Sequence, residues 1–176
     1  MYKNPIETIN ALQESRLRAV NLKKDRLHLV DGPETKQDGL YWIYTRHTND
    51  ELLNSAPSAK RASVDFKRLA KMHTSLTNVC QRAVGEFRLV YNGIGGLGPR
   101  GHGGLRERIL GEFRGGEGTG SLAIRGSSLH ELDNWRYSYV LWSEVPFVHQ
   151  HSYAEFAESI ERLWRIHYGW PVLCAK

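Results

Sequence analysis

Apolar positions along the chain recur in blocks whose spacing switches between helical and extended periods, with polar or glycine-rich punctuation between them. The first block predicts a helix over residues 5 to 22. Asn4 stands as N-cap, Pro5 at the first helical position and Glu7 three residues past the cap, with Ile6, Ile9, Leu12, Ala19 and Val20 on the buried side. Residues 31 to 38 are polar and broken by Gly32-Pro33, so they read as a loop into the core. Gly39 to Thr45 is dense in aromatic and β-branched residues and predicts the first strand. A polar loop over 46 to 61 precedes a helical spacing through Phe66, Leu69, Met72, Leu76, Val79 and Ala83, with Gly85 as its stop. Phe87 to Tyr91 predicts a second strand that runs into a glycine-rich stretch, residues 93 to 104.

A short helix follows from Leu105 to Phe113, then loop to residue 134 with one helical turn around Ser127 to Leu132. Trp135 to Glu144 predicts the third strand, stopped by Val145-Pro146. The last helix has Ser152 as N-cap and Glu155 at N3, and it ends at Tyr168 before Gly169 and Pro171. Three strands interleaved with helices, without a regular βαβ alternation, predict an α+β domain. Its sheet is small and three-stranded, antiparallel or mixed, and flanked by helices.

Length and composition narrow the class. At 176 residues the chain fits one domain, given about 100 to 200 residues for a typical one. Twenty-four Lys and Arg against 19 Asp and Glu leave a net charge of +5, which permits a polyanionic partner. Forty per cent hydrophobic and 10 per cent aromatic residues exclude disorder and predict a packed core. No apolar run approaches the roughly 20 residues of a membrane span, and the first residues lack the apolar region of a secretory signal, so a cytoplasmic protein is expected. Cys80 and Cys174 have no partner at metal-ligand or redox spacing and read as two buried thiols.

Several chemistries lack their local signatures. The glycine-rich stretch has no GK[ST] ending for a phosphate loop. Its Gly93-Ile94-Gly95-Gly96-Leu97-Gly98 lacks the following strand and acidic residue of a dinucleotide site. Zinc-protease, Ser-His-Asp and CxxC patterns are missing. His149-Gln150-His151 reads as two solvated histidines ahead of a helix more readily than as metal ligands.

Four short motifs in order point further: Gly39-Leu40-Tyr41 opening the first strand, Tyr91-Asn92-Gly93 ending the second, Leu105-Arg106-Glu107-Arg108 on the next helix, and Glu161 on the last. Together they resemble the GIY-YIG nuclease family over about 100 of the 176 residues. The resemblance implies a single nuclease domain over 1–176, with residues 1–38 as an N-terminal extension and 46–86 as a helical insertion between strands one and two. It makes Tyr41, Tyr91, Arg108 and Glu161 the catalytic set.

Helix geometry gives a separate view of Glu161. At about 100° per residue, Phe156, Ile160, Leu163 and Trp164 form an apolar stripe, and Glu161 borders it beside Ala157 and Tyr168, while Glu155 and Glu158 turn toward solvent. A structural ion pair is the competing reading of this carboxylate.

By the resemblance, Glu161 would hold one Mg²⁺ or Mn²⁺, Arg108 would pair with the scissile phosphate, Tyr41 would take a proton from water and Tyr91 would position the nucleophile. Two departures stand out. Four residues after Arg108, where many members have histidine, the chain has Glu112, and Cys174 falls near the usual position of a terminal Asn. His102 in the glycine-rich loop is a candidate for the missing imidazole. Arg100, Arg106, Lys67, Arg68 and Lys71 are candidate DNA contacts, the last three close to one helix face, where they either neutralise phosphates or form a solvated surface.

The function so implied is a metal-dependent DNA endonuclease, such as a type II restriction enzyme, which would dimerise to cut both strands. The alternative is a nucleic-acid-binding protein of the same fold that has lost cleavage. A partner-binding role for aromatics around Trp164, Tyr168 and Trp170 is a third reading.

Overall fold

A computed structural model describes residues 4–96, 104–115, 120–145 and 153–175, with side chains of the last segment described from Phe156. Arg100, His102, His149, His151 and Ser152 lie outside the described residues.

Helix α1 (Pro5–Glu14) is followed by strands β1 (Arg18–Lys23), β2 (Arg26–Leu29) and β3 (Gly39–Thr45), and by helices α2 (Asn49–Leu53) and α3 (Phe66–His73). Next come β4 (Ala83–Val84), β5 (Phe87–Gly95), α4 (Gly104–Arg114), β6 (Trp135–Leu141) and α5 (Tyr153–Tyr168). All strand pairs are antiparallel, in the order β2-β1-β6-β3-β5-β4. The expected small three-stranded sheet is therefore corrected to a six-stranded antiparallel one. The three expected strands are its centre, β6-β3-β5.

The added strands have physical reasons. Residues 18–23 do not continue the first helix, which ends at Glu14 with Ser15 as its cap. They pair with 26–29 through a two-residue turn in which Lys24 and Asp25 both have positive φ, 51° and 59°. Hairpin turns of this kind match the strand twist, but Asn-Gly or Asp-Gly usually marks them. Lys-Asp does not announce one. The long helix expected to reach Gly85 stops at His73, capped at its start by Asp65. Met72 and Leu76, expected on its buried side, are 56% and 54% exposed. Gly85, with φ of 59°, turns the β4–β5 hairpin instead of ending a helix.

Both faces of the sheet are covered. On one, Tyr41 and Ile43 of β3 pack with Phe66 of α3 and with Leu105, Ile109 and Phe113 of α4. On the other, Leu40, Trp42 and Tyr44 pack with Ile6 and Ile9 of α1 and with Ala157, Ile160 and Trp164 of α5. Every residue of β3 is buried, as expected of a central strand covered on both sides. Of the expected stripe of α5, Ile160 and Trp164 are buried and Phe156 is partly buried, whereas Leu163 is 49% exposed and Ala157 is buried. Trp164 is fully buried, so it offers no partner surface. Among the described residues, no helix is long and apolar enough to cross a membrane.

Candidate active site

Strand register explains why two tyrosines 50 positions apart in sequence meet. Tyr41 pairs with Gly93 and Ile43 with Tyr91, so all four side-chain positions lie on one face of the sheet. A bulge follows, because Tyr44 pairs with Leu89 and leaves Val90 unmatched. The Tyr41 and Tyr91 rings are 6.2 Å apart. Gly93 matters here: a Cβ at that position would come within 2.5 Å of the Tyr41 hydroxyl, so only glycine leaves room for the ring.

Helix α4 crosses this face. Its turn from Arg108 to Glu112 places both side chains toward the tyrosines, since residues four apart share a helix face. Tyr41 donates to Glu112 Oε1 at 2.6 Å, and the Leu122 N–H donates to Glu112 Oε2 at 2.7 Å. Glu112 is 1% exposed. Burial holds its carboxyl above the usual range, opposed by the hydrogen bond from Tyr41 and by the charge of Arg108. Burial also pushes both phenols well above their ordinary pKa, and the Glu112 charge adds to this.

The outer edge of β5 provides the cleft. Strand β4 pairs only with Phe87 and Arg88, and beyond them no described strand covers that edge. The C-terminal segment attaches there through Leu173 N–H to Val90 O at 2.8 Å. A cleft of about 590 Å³ runs along the edge, with Tyr91, Asn92 and Gly93 as its floor, Arg108 on one side and Glu161 and Arg165 on the other. Tyr91, Arg108 and Glu161 thus come together from three elements. Tyr41 does not reach the cleft surface; it is fully buried, against Gly93.

Glu161 sits on α5, one turn before Arg165, whose Nη2 donates to Glu161 Oε1 at 2.9 Å. Burial raises the Glu161 carboxyl, and the adjacent Arg165 charge opposes the shift. Arg165 Nε also donates to Asn92 Oδ1 at 2.9 Å, which fixes the orientation of that buried amide. Asn92 in turn meets Cys174, whose Sγ lies 3.4 Å from Oδ1. The Cys174 thiol is pushed up to about 12 by burial, so it is an inert packing group rather than a nucleophile.

Three of these residues were missed in the sequence. Arg165 carried a signal: an acid four positions before a base on a helix is a favourable pair. Glu112 carried the reverse order, a base four positions before an acid, and was read only as a substitution. Asn92 carried none, because its role depends on where the C-terminal segment docks.

The candidate DNA contacts are dispersed. Lys67, Arg68 and Lys71 are exposed on α3, and none lines the cleft. Arg106 is half-buried and donates to Pro33 O at 3.1 Å, tying α4 to the loop before β3. Arg82, also on the expected basic insertion, is held by Glu14 through two hydrogen bonds of 2.7 and 2.6 Å.

No protein-family model, curated protein or solved structure matches the chain.

Proposed function

We propose that the chain is a metal-dependent DNA endonuclease of the GIY-YIG type, acting on phosphodiester bonds in the cytoplasm. The observation that carries this reading is the convergence of Tyr91, Arg108 and Glu161 on one cleft, with Tyr41 directly behind it. A cation to meet phosphate, a carboxylate and a phenol are the groups that phosphoryl hydrolysis needs within reach of one another. A second groove of about 530 Å³, lined by Arg26, Lys60, Arg114 and Arg125 against Asp25, adds positive charge that suits a polyanion.

Mg²⁺ or Mn²⁺ fits the donor set. Among the described residues no group of three or more His, Cys, Asp or Glu side chains gathers. Glu161 has one oxygen engaged by Arg165, and Glu158 lines the same cleft. One or two carboxylates with retained waters and substrate oxygens is the usual environment of Mg²⁺. Bound at Glu161, the ion would offset charge on the phosphate. Arg108 would hold the phosphate from the opposite side, and Arg165 keeps the Glu161 carboxylate aimed along the cleft.

Supercoiled plasmid incubated with the protein and Mg²⁺ or Mn²⁺ tests this. Cleavage is expected, abolished by EDTA and reduced at least about 100-fold by Glu161→Ala. Linear product with discrete bands would mark a type II restriction enzyme working as a homodimer, and nicks alone would count against that role. The complete burial of Tyr41 favours a second reading, a nucleic-acid-binding protein without cleavage. That reading expects salt-sensitive band shifts and no turnover with any metal.

A further inference from the structure

Glu112 is an unusual choice for a structural acceptor. It is 1% exposed, and no Lys or Arg among the described residues forms an ion pair with it. Tyr41 donates to its Oε1 and the Leu122 N–H to its Oε2, and Tyr91 also faces the carboxyl, so both oxygens accept where an amide would offer one acceptor and one donor. A buried carboxylate held by no direct ion pair costs stability, which the Arg108 charge on the same helix offsets only in part. The geometry offers a use. Tyr91 lines the cleft, Tyr41 lies behind it on the same sheet face, and Glu112 stands behind Tyr41.

Resting on the nuclease reading above, we propose that Glu112 is the terminal proton acceptor of the site, reached from the cleft through Tyr91 and Tyr41. As the attacking water forms its bond to phosphorus, its proton passes to the Tyr91 oxygen. The Tyr91 proton passes to the Tyr41 oxygen, and the Tyr41 proton passes to Glu112 Oε1. Each phenol loses one proton and gains one. The P–O bond to the leaving group breaks, and the leaving oxygen takes a proton from solvent. Glu112 ends protonated and returns its proton to solvent by the reverse path. No phenolate forms at any stage, so the raised pKa of both tyrosines is no obstacle.

The groups facing Glu112 are Tyr41 from β3, Tyr91 from β5, Arg108 from its own helix and Cys174 from the C-terminal segment. The segment at Leu122 presents only its backbone N–H. Of these, Glu112 is the carboxyl, and because a protonated carboxyl cannot accept, wild-type cleavage has an acid limb set by its deprotonation, which burial moves upward.

The test uses supercoiled plasmid with Mg²⁺, and compares wild type with E112Q, Y91F and the double variant across pH. E112Q and Y91F are each expected to lose about 10²- to 10⁴-fold in cleavage rate, the range for a proton-transfer group. The double variant is expected to be no slower than the slower single, because both interrupt one path. E112Q should bind the same plasmid as tightly as wild type and lack the acid limb. Wild-type cleavage by E112Q with the limb retained overturns the relay, as does loss of DNA binding in that variant. If E112Q fails to fold, Y91F decides: cleavage at the wild-type rate overturns the proposal. A wild type that cuts nothing with either metal removes the nuclease reading and the relay together, whereas an active wild type with an active Y91F removes the relay alone.

Discussion

Tyr41 and Tyr44 sit three positions apart on one strand, both fully buried, on opposite faces of the sheet. Tyr44 donates to Gln13 Oε1 at 2.5 Å. That amide oxygen also accepts from Ser138 at 2.8 Å, and its nitrogen donates to Asn10 Oδ1, which accepts from Trp164 Nε1 as well. The network is neutral throughout and nearly saturated. Tyr41 donates to Glu112 at 2.6 Å, a titratable group in an equally dry place. Securing a buried phenol requires only an acceptor, and the Tyr44 face shows how this chain provides one without charge. The carboxylate behind Tyr41 is therefore a specific feature of the face that carries the cleft.

Exchanging the two acceptors tests this contrast most severely. Gln13→Glu places a charge into the saturated network, where an acceptor oxygen replaces the Nε2 donor facing Asn10 Oδ1, and is expected to cost roughly 3 kcal/mol at pH 7.5. Urea unfolding should show part of that loss recovered at pH 4, where the new carboxyl is neutral. An unchanged midpoint at pH 7.5 would mean that the two environments are equivalent.

Removing each hydroxyl comes next in size. Tyr41→Phe deletes a bond to a charged acceptor and is expected to cost about 1.5–3 kcal/mol, against about 0.5–1.5 kcal/mol for Tyr44→Phe. Equal losses would mean that Glu112 is already neutral in the folded protein at the pH of measurement.

The smallest effect is one of sign. Burial raises the Glu112 carboxyl above its unfolded value near 4.5, so its stabilising contribution is complete below that value and is lost as pH rises through the folded pKa. Glu112→Gln removes this titration. Its stability relative to wild type should therefore rise between pH 4 and pH 7.5. A difference that stays constant or falls would show that the hydrogen bonds outweigh burial and that the carboxyl is held low.

What the sequence made legible follows from how local each signal is. The three central strands stood out because β-branched and aromatic residues concentrate where both faces are covered, as in Gly39 to Thr45. The N-cap of α1 was equally local, and Asn4 Oδ1 accepts from the Ile6 N–H at 3.0 Å. The outer strands were hidden because their turns use Lys24-Asp25 and Gly85-Glu86 rather than familiar pairs, and because Ala19 and Val20 also fit a helical period. At the site, Tyr91, Arg108 and Glu161 reached the cleft from the positions the motifs assign. Their meeting depends on α4 and α5 packing on opposite faces of the sheet beside β5, which no window of sequence contains. The Glu161–Arg165 pair was visible as a spacing. Its further tie to Asn92 depends on two elements far apart in the chain.

The sheet tapers toward its margins, since β3 and β6 have seven residues each while the outermost strands have four and two. Unpaired backbone on a long flat margin is a template for another chain to add a strand. Here β2 carries Arg26 and His28, and β4 ends at a glycine turn after two residues. The C-terminal segment caps part of the remaining β5 margin through Leu173 and Val90. A cleft built on a sheet edge thus remains open to a ligand while offering little continuous backbone for amyloid-like stacking.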